Sequence, residues 1–449
     1  MKKITSVLCL IFISSTLVKA QPAALEKYIQ NYSAVMGSDS LRIDFGSDEI
    51  QQNDLIFFGF IHGAALPQLL DFELLKYFVQ NGTQYYMPEV TYSMAFFLNL
   101  YLEKGDIELL NFVTYFYKQR VPQDASIQFH EKWKRIYILN ESLPADQKIK
   151  VIGVDKPLYD KRLALTHLAY LAPTVSTGNA LVDSLKYYRH LEIDHRLIWS
   201  GKPAMEKARA TNKSTFEFVY PKDSKYNFSF RFFRACENNK TEILKMFGEN
   251  EQHASRILAD RSPGRETYIF KGFQQYVIPL IEGGDKVYAN YGYAHIQQAR
   301  IAGNCYLACL IKEAYPAIKL TSIQGLLAKS NVLNERKLCK TKDYITEHNM
   351  TFQKAEYCGY KTSKSYDGHS FFEQVNGIKP LMRQAGKNEI LMLNLKRPNT
   401  PFDRNLYFAE NKRGSKHWKV DKNLTTLDYF QYVIFMQKSQ NNVPFSLSD

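Results

Sequence analysis

Residues 55–62 read LIFFGFIH, a short run of β-branched and aromatic residues that ends in a glycine and a histidine. Three similar runs follow along the chain, YYM at 85–87, VIGV at 151–154 and VYA at 287–289. Their length, their composition and the Gly or Pro that bounds them are typical of strands buried on both faces.

Helical patterns, in which apolar residues recur every three to four positions, separate these runs at 67–80, 96–117, 129–143, 265–281 and 296–314. Further strands are predicted at 318–323, 390–395 and 427–435. Strand, helix and strand in this order form βαβ units. The predicted fold class is therefore α/β, with a mainly parallel central sheet flanked by helices.

The first twenty residues predict a secretory signal peptide, with Lys2 and Lys3 before an apolar run and VKA at 18–20 as the cleavage site. We expect a protein exported to the periplasm or the extracellular space. The mature chain, 21–449, is predicted to be a single α/β domain with a helical insertion at 181–258. Residues 329–387 are turn-rich and match no element. No later stretch has the apolar length of a membrane span.

The net charge and the sequence motifs limit the classes of molecule that this protein is expected to bind. The formal net charge is +13, and a basic exported protein can meet anionic glycans, phosphates or acidic peptides, although solubility alone explains the charge more simply. No nucleic-acid-binding motif is present, so nucleic acid is not expected. The basic and aromatic cluster at 412–419 indicates a solvated hairpin, with an anion-binding patch as the alternative. No pattern predicts an oligomeric state.

Five cysteines remain after the predicted cleavage: Cys236, Cys305, Cys309, Cys339 and Cys358. This number is too small for a disulfide scaffold, and an odd number leaves at least one cysteine unpaired. Cys305 and Cys309 lie one helical turn apart on an apolar face, which favours core packing over a zinc site. Cys339 and Cys358 could form a disulfide.

The four runs indicate a functional site, because ligands of open parallel sheets bind beyond the carboxyl ends of the strands. The residues that follow the runs are His62, Glu89, Asp155 and His295. Two imidazoles and a carboxylate can hold a divalent metal cation and leave a position for water, whose pKa the metal lowers. A glycine three residues before each histidine would let the chain turn sharply out of the strand.

Each of these residues also has a structural alternative. Either histidine could be hydrogen-bonded under a loop, and Glu89 and Asp155 could cap helices or pair with an arginine. Other chemistries have no motif here, since the sequence lacks a G-x-S-x-G elbow, a P-loop, a Rossmann glycine fingerprint and an H-E-x-x-H helix.

At these residues the chain resembles the superfamily that groups the erythromycin esterases with TraB/GumN-type proteins, the Tiki peptidases and the ChaN-like haem-binding proteins. The TraB and Tiki signature is a paired G-x-x-H with an intervening Glu, here 59–62, Glu89 and 292–295. The resemblance to the esterases lies in chain order: HG at 62–63, YMPE at 86–89, VIGVD at 151–155, RE at 265–266 and the closing strand at 428–435.

The resemblance implies an α/β core with a cleft at the strand ends, in which His62, Glu89 and His295 bind a divalent metal or activate water. By position, Arg265 would stabilise developing negative charge and Asp155 would orient its neighbours. The chain departs from the esterase pattern at Phe60, Leu66 and Gly292, in places that usually hold Glu, an acidic residue and His. These departures argue against macrolide hydrolysis.

The leading hypothesis is an exported, metal-dependent hydrolase of an ester or amide bond in a small-molecule or peptide substrate. The first alternative is a non-catalytic protein that binds haem or a similar ligand, with aromatic residues at 216–228 over the cleft. The second is a protein of the same fold whose site is degenerate.

Overall fold

The computed structural model describes residues 23–38, 41–45, 48–121, 123–157, 161–189, 225–259, 263–338, 344–347, 350–353, 357–363, 375–410 and 418–445. The predicted signal peptide, the aromatic residues 216–224 and the basic residues 411–417 lie outside this part of the chain. Among the described residues, no helix combines the length and the apolar character needed to cross a membrane.

The described residues contain twelve β-strands. They are β1 (Ser33–Met36), β2 (Leu55–Phe60), β3 (Tyr85–Pro88), β4 (Lys150–Val151), β5 (Val287–Gly292), β6 (Leu320–Ala328), β7 (Val332–Leu338), β8 (Tyr344–Glu347), β9 (Met350–Gln353), β10 (Tyr357–Ser363), β11 (Ile390–Asn394) and β12 (Tyr432–Gln437).

Helices connect and cover these strands. They are α1 (23–32), α2 (Ala65–Gln80), α3 (Tyr92–Lys104), α4 (Ile107–Arg120), α5 (Ile127–Ser142), α6 (Lys161–Leu171), α7 (Ala180–Ser184), α8 (Lys225–Asn238), α9 (Lys240–Ile243), α10 (Glu251–Ile257), α11 (Arg265–Tyr276), α12 (Ile278–Glu282), α13 (Leu307–Ala314), α14 (Ile378–Ala385) and α15 (Thr426–Tyr429).

The chain divides into two compact units. The first unit comprises Met1–Thr83, Leu280–Val332 and Lys364–Asn441, and the second comprises Gln84–Pro279, Leu333–Ser363 and Asn442–Asp449. The single domain expected over 21–449 stays a prediction.

The first unit contains six strands in the order β1-β11-β12-β6-β2-β5. The pairs β12–β6, β6–β2 and β2–β5 are parallel, and the pairs β1–β11 and β11–β12 are antiparallel. Every residue of β2 and β5 is buried, as the continuous apolar runs predict. Helix α2 buries Leu70, Leu74 and Phe78, which lie at helical spacing.

The second unit pairs β3 with β4 in parallel and surrounds them with helices. Helices α3, α4 and α5 follow β3 along the chain. Residues of α6, α7, α8 and α10 form one apolar cluster that includes Leu165, Val182, Phe233 and Ile257. The described parts of the predicted insertion at 181–258 are therefore helical. Together the two units confirm an α/β fold with mainly parallel strands and flanking helices.

Some predicted elements differ from the structure. The helix expected at 96–117 is two helices, because Gly105 has φ 67° at the end of α3 and Asp106 caps α4 by accepting a hydrogen bond from the Glu108 amide. The helix expected at 296–314 begins at Leu307, because Ala302 and Gly303 turn the chain with φ of 50° and 81°.

Three further segments were predicted incompletely. Residues 427–435 begin as helix α15, held by a capping box between Thr425 and Asp428, and β12 starts only at Tyr432. The strand expected at 151–154 is the two-residue β4, followed by an isolated bridge between Thr91 and Asp155. The unassigned region at 329–387 contains β7 to β10 and helix α14.

Candidate functional site

Glu89, Asp155 and Arg265 form a charged cluster in the second unit. One terminal nitrogen of Arg265, Nη2, donates to Glu89 Oε1 at 2.5 Å and to Asp155 Oδ2 at 2.6 Å. Its Nε donates to Asp155 Oδ1 at 3.0 Å, so Asp155 is bound at both oxygens. Of the two roles open to these carboxylates, helix capping or pairing with an arginine, the structure shows the pairing.

The backbone places the two carboxylates side by side. Ile152 donates its amide to the Tyr86 carbonyl, and three residues later the Asp155 amide donates to the Val90 carbonyl at 3.1 Å. Parallel pairing thus continues past β3 and β4 and carries Asp155 next to the turn that holds Glu89. This close approach requires Gly153, because a Cβ at that position would lie 2.2 Å from the Thr91 carbonyl oxygen.

Arg265 enters the cluster from the first turn of α11. A cation at a helix N-terminus opposes the helix dipole, so the two carboxylates must offset this unfavourable interaction. Lys156 supports the arrangement by donating its ammonium group to the Pro263 carbonyl at 2.6 Å, two residues before Arg265. The cluster therefore depends on contacts between three separate segments.

The three charged groups of this cluster interact strongly because they are largely shielded from water. The Asp155 side chain is 0% exposed and the Glu89 side chain 7%, whereas the Arg265 side chain is 30% exposed. Carboxylates removed from water are stable only when they are paired and hydrogen-bonded. The formal charges of the three groups sum to −1, and solvent reaches the cluster on the arginine side.

His62 and His295 lie in the first unit, after the adjacent parallel strands β2 and β5. Phe60 is in register with Gly292, and the Tyr293 amide donates to the Phe60 carbonyl at 3.0 Å, so both histidines follow the same end of this strand pair. His62 is half-buried with its ring against Phe60, and His295 is buried between the rings of Tyr291 and Tyr306. Convergence of the two histidines with Glu89 stays a prediction.

The glycine of the first G-x-x-H motif, Gly59, has a different role from the sharp turn that we expected. Gly59 lies within β2, and a Cβ on it would be 2.2 Å from Ile296 Cγ1. Its missing side chain lets Ile296, the residue after His295, pack directly on β2. The turn after His62 is made by Gly63, which has φ 95°.

The predicted metal ligands fit a metal only in part. Two imidazoles and a carboxylate are a suitable set of ligands for a divalent cation. However, Arg265 already compensates charge on Glu89, which weakens this carboxylate as a ligand. We therefore derive no step through a metal ion.

A second group of metal-ligand residue types in the described chain is Cys305, Cys309 and Glu313, whose ligand atoms lie within 4.8 Å of one another. The two sulfurs are joined in a disulfide, so neither is a thiolate that could bind a metal. The prediction of simple core packing for this pair was incomplete. Cys339 and the side chain of Cys358, the other predicted pair, lie outside the described residues.

Sequence reasoning missed a cationic and aromatic group in the second unit. The Arg256 guanidinium stacks between the rings of Tyr92 and Tyr276, with its Cζ 3.8 Å and 3.4 Å from their centroids. These rings belong to different helices, so no local motif marks them. The sequence feature that came closest to indicating this group was Tyr92, which lies three residues after the candidate site residue Glu89.

A buried histidine, His167, lies close to this group. Its ring stacks on Phe96 with 3.9 Å between the ring centroids, and its Nδ1 is 3.2 Å from Ser93 Oγ. Burial lowers the pKa of His167 well below its usual value, and the charges of His253 and Arg256 act in the same direction. His167 is therefore neutral at pH 7 and contributes packing rather than charge.

Solved structures share this fold over almost the whole chain. A protein from Bacillus cereus matches with a TM-score of 0.54 at 14% identity, covering 95% of this chain and 99% of that chain. A succinoglycan biosynthesis protein gives 0.53 at 14% identity, covering 94% and 98%. A mutant of the erythromycin esterase EreC in its open conformation gives 0.54 at 12% identity, covering 93% and 99%.

No protein-family model matches the chain, and no curated protein matches its sequence. At identities of 12–14% the structural likeness shows the fold alone. The protein thus shares its α/β fold with these solved structures, one of which is an erythromycin esterase, and at the level of the fold this agrees with the resemblance seen in its motifs.

Proposed function

We propose that this protein is an exported hydrolase of an ester or amide bond in a small-molecule or peptide substrate. The observation that carries the proposal is the buried Glu89–Arg265–Asp155 cluster at the carboxyl ends of β3 and β4. Sheet ends of this kind hold the active sites of α/β proteins, and here two buried carboxylates hold a guanidinium that is 30% exposed to solvent. A fold shared with an esterase raises the expectation further.

Hydrolysis of a carbonyl compound needs a base, an acid and a cation or dipole near the oxygen that becomes negative. In the proposed mechanism His62 or His295 accepts a proton from water while the water oxygen attacks the carbonyl carbon. The same proton then passes to the leaving oxygen or nitrogen as its bond to carbon breaks. An imidazole suits this role because its ordinary pKa lies near neutral pH.

Arg265 and the two carboxylates have complementary roles in this mechanism. The partly exposed guanidinium stabilises the developing negative charge on the substrate, and Glu89 and Asp155 hold the guanidinium in place. Glu89 can also orient the attacking water. We expect loss of Glu89 to lower the rate of the chemical step more than it weakens substrate binding.

The test is hydrolysis of a panel of aryl esters and peptide amides by the purified mature protein. We expect Glu89→Gln, His62→Ala and His295→Ala each to lower kcat by about 100-fold or more. Glu131→Gln, which removes a carboxylate of the exposed Glu131–Lys134 pair, is the matched control and should leave kcat unchanged. The proposal fails if every folded variant hydrolyses the substrates as wild type does, or if wild type hydrolyses none.

Metal dependence stays a separate prediction. Metal analysis of wild type, His62→Ala and His295→Ala, each purified without a metal-affinity tag, tests it. A bound divalent cation that is lost in both variants supports the metal-dependent form. Activity that survives exhaustive chelation, in a protein free of metal, supports direct acid–base hydrolysis instead.

Export rests on the N-terminal sequence and is supported by the Cys305–Cys309 disulfide, because disulfides persist mainly in oxidising compartments. Expression of the full chain in a bacterial host should give a periplasmic product that begins at Gln21. Intact mass and N-terminal sequencing measure the cleavage site. A cytoplasmic product that retains Met1–Ala20 would contradict the export proposal.

The second candidate is a non-catalytic ligand-binding protein, favoured by His295, a buried histidine whose ring lies beside those of Tyr291 and Tyr306, because imidazole and phenol groups are common haem ligands. The haem form of this hypothesis used aromatic residues at 216–228 whose side chains lie outside the described residues. Titration with haem distinguishes the two candidates. A Soret band that forms with wild type but not with His295→Ala, in a protein without hydrolytic activity, supports binding.

A further inference from the structure

A cavity of about 230 Å³ opens in the second unit between the start of α3, the segment after β4, the end of α10 and the helix α11. Its lining combines three tyrosines, Tyr92, Tyr268 and Tyr276, with two basic side chains, Arg256 and Lys271. Arg265, His62 and His295 do not line it. The cavity is therefore a separate feature from the proposed catalytic groups, although Asp155 borders both.

Arg256 is a half-buried cation whose positive charge has no carboxylate partner among the described residues. Its Nη2 donates to the Gly153 carbonyl at 2.6 Å, and its flat faces contact the rings of Tyr92 and Tyr276. A guanidinium carries five N–H donors, so the bond from Nη2 to the Gly153 carbonyl leaves donors for a ligand. Asp155 lines the same cavity, but both of its oxygens accept hydrogen bonds from Arg265.

Apart from Asp155, whose carboxylate is bound by Arg265, the side chains around Arg256 add no opposing charge. Burial raises the pKa of the Tyr92 hydroxyl to about 12, which keeps it neutral near pH 7. Burial raises the pKa of Tyr276 as well. Lys271, on the exposed side of α11, brings a second positive charge to the cavity mouth. The local charge is thus positive inside walls of aromatic rings.

We propose that this cavity binds the oxyanion group of a small molecule, either a carboxylate or a phosphate. Arg256 and Lys271 pair with the anion, since a planar guanidinium matches the oxygens of either group. The tyrosine rings contact the carbon skeleton next to the anion. The site stands on the cavity alone and does not depend on the hydrolase proposal.

Thermal unfolding at constant ionic strength tests the site, with sodium phosphate, sodium acetate and sodium benzoate as separate probes and sodium chloride as the background. A ligand that binds only the folded protein raises Tm, and at a given concentration the rise is larger for a tighter ligand. We expect phosphate or the carboxylates to raise the Tm of wild type by an amount that grows with the logarithm of the probe concentration above Kd, and the separate probes tell which anion the site prefers. Stronger binding of benzoate than of acetate would show contact with the tyrosine rings.

Two variants and one control assign the binding. Lys271→Gln changes an exposed residue and is expected to fold normally and to weaken binding about tenfold. Arg256→Lys keeps the charge but loses the planar group, and we expect a loss of about tenfold or more. Lys245→Gln removes the same charge from an exposed position of the second unit outside the cavity lining and should bind as wild type does.

The proposal is overturned if no probe stabilises wild type beyond the chloride background. It is also overturned if Lys271→Gln and Lys245→Gln bind a probe equally well, which would show a general effect of surface charge. Because Lys271 is exposed, this comparison decides the matter even if Arg256→Lys does not fold.

Discussion

Arg265 binds two carboxylates that come from different segments of the second unit, so the three residues depend on one another. Asp155 is bound at both oxygens, whereas Glu89 is bound at Oε1, which makes Asp155 the tighter partner. Replacing any one of them changes the charge felt by the other two. A single substitution therefore measures the cost of disrupting the whole cluster and not a separate contribution of one residue.

Removal of the Arg265 side chain should destabilise the protein strongly. Arg265→Ala leaves two buried carboxylates without their cation, and breaking a buried pair in this way costs about 3–5 kcal/mol. Because 30% of the Arg265 side chain is exposed, water compensates in part, and we expect a value at the lower end of that range. Denaturant unfolding measures the change in the free energy of unfolding.

Arg404→Ala is the matched control, since Arg404 pairs with Asp403 at 3.0 Å on the surface with side chains 70% and 49% exposed. It should cost less than about 1 kcal/mol. Equal losses in the two variants would show that the Arg265 cluster contributes no more than a surface ion pair.

His130 should make stability depend on pH. Burial, with a smaller contribution from Lys134, lowers the pKa of His130 from 6.5 to about 4, and its ring stacks on Phe445 while Nε2 donates to Asn111. The folded state thus disfavours the protonated ring. The stabilisation is complete above the unfolded pKa of 6.5 and is lost as the pH falls from 6.5 to about 4.

Solvent screens part of this effect, so we expect the loss attributable to His130 to be about 1–2 kcal/mol over that interval. Unfolding curves for wild type and His130→Gln at several pH values measure it. The variant should have a shallower acid limb, with a residual slope from His167, whose pKa is lowered in the same direction. Parallel curves for the two proteins would contradict the assignment to His130.

At the scale of elements, β4 shows how a very short strand can place a functional residue. It pairs with β3 through two residues, and the chain then runs beside the Thr91 segment until Asp155. Two glycines allow the backbone to follow this path from β4 to Asp155. Gly153 admits the Thr91 carbonyl, and Gly272 on α11 lies against Val154.

Substitution of these two glycines should have unequal effects. In Gly153→Ala the new Cβ would lie 2.2 Å from a backbone oxygen, which cannot move without shifting the start of α3. We expect a loss of about 1–3 kcal/mol. We also expect that fewer molecules have the Glu89–Arg265–Asp155 cluster correctly formed, because Asp155 lies two residues after Gly153.

Gly272→Ala is the comparison. Its Cβ would be 3.2 Å from Val154 Cβ, a tight contact with a side chain, and alanine in a helix interior gains about 1 kcal/mol over glycine. The two effects oppose each other, so the net change should be small. Thermal unfolding of both variants measures which one loses more stability. A larger loss of stability in Gly272→Ala than in Gly153→Ala would contradict the prediction.

At the scale of the whole molecule, two compact units carry different parts of the predicted chemistry. The first holds both histidines after parallel strands, and the second holds the charged cluster and the cavity. The disulfide between Cys305 and Cys309 belongs to the first unit and closes a very short loop next to α13. Its expected contribution is correspondingly modest.

Loss of this disulfide should lower stability by about 2 kcal/mol, the value expected for a loop of this length from chain entropy. The double variant Cys305→Ala, Cys309→Ala tests this by denaturant unfolding with and without reductant. Reductant should destabilise wild type but not the double variant. Alkylation followed by peptide mapping of the unreduced wild type should leave both cysteines unmodified, and their ready alkylation would show that the bond is absent.

The sequence by itself determined the α/β class and the four buried runs, and it placed Glu89 and Asp155 among the candidate site residues, to which the family resemblance added Arg265. It could do so because buried strands are marked by local composition, and because polar residues at strand ends are marked by their position. The division of 96–117 into two helices could also have been predicted from the sequence, since glycine commonly ends a helix and aspartate commonly begins one. We missed Gly105 and Asp106 because apolar residues recur at helical spacing on both sides of them.

Only the tertiary structure decided which groups touch. It joined Arg265 to Glu89 and Asp155, set Arg256 between two tyrosine rings, and paired Cys305 with Cys309. It also showed that Gly59 serves the packing of Ile296 rather than a turn. Apart from the disulfide, whose cysteines are four residues apart, these contacts link residues that are distant along the chain. Their geometry depends on the packing of whole helices against strands, which no local pattern of residues encodes.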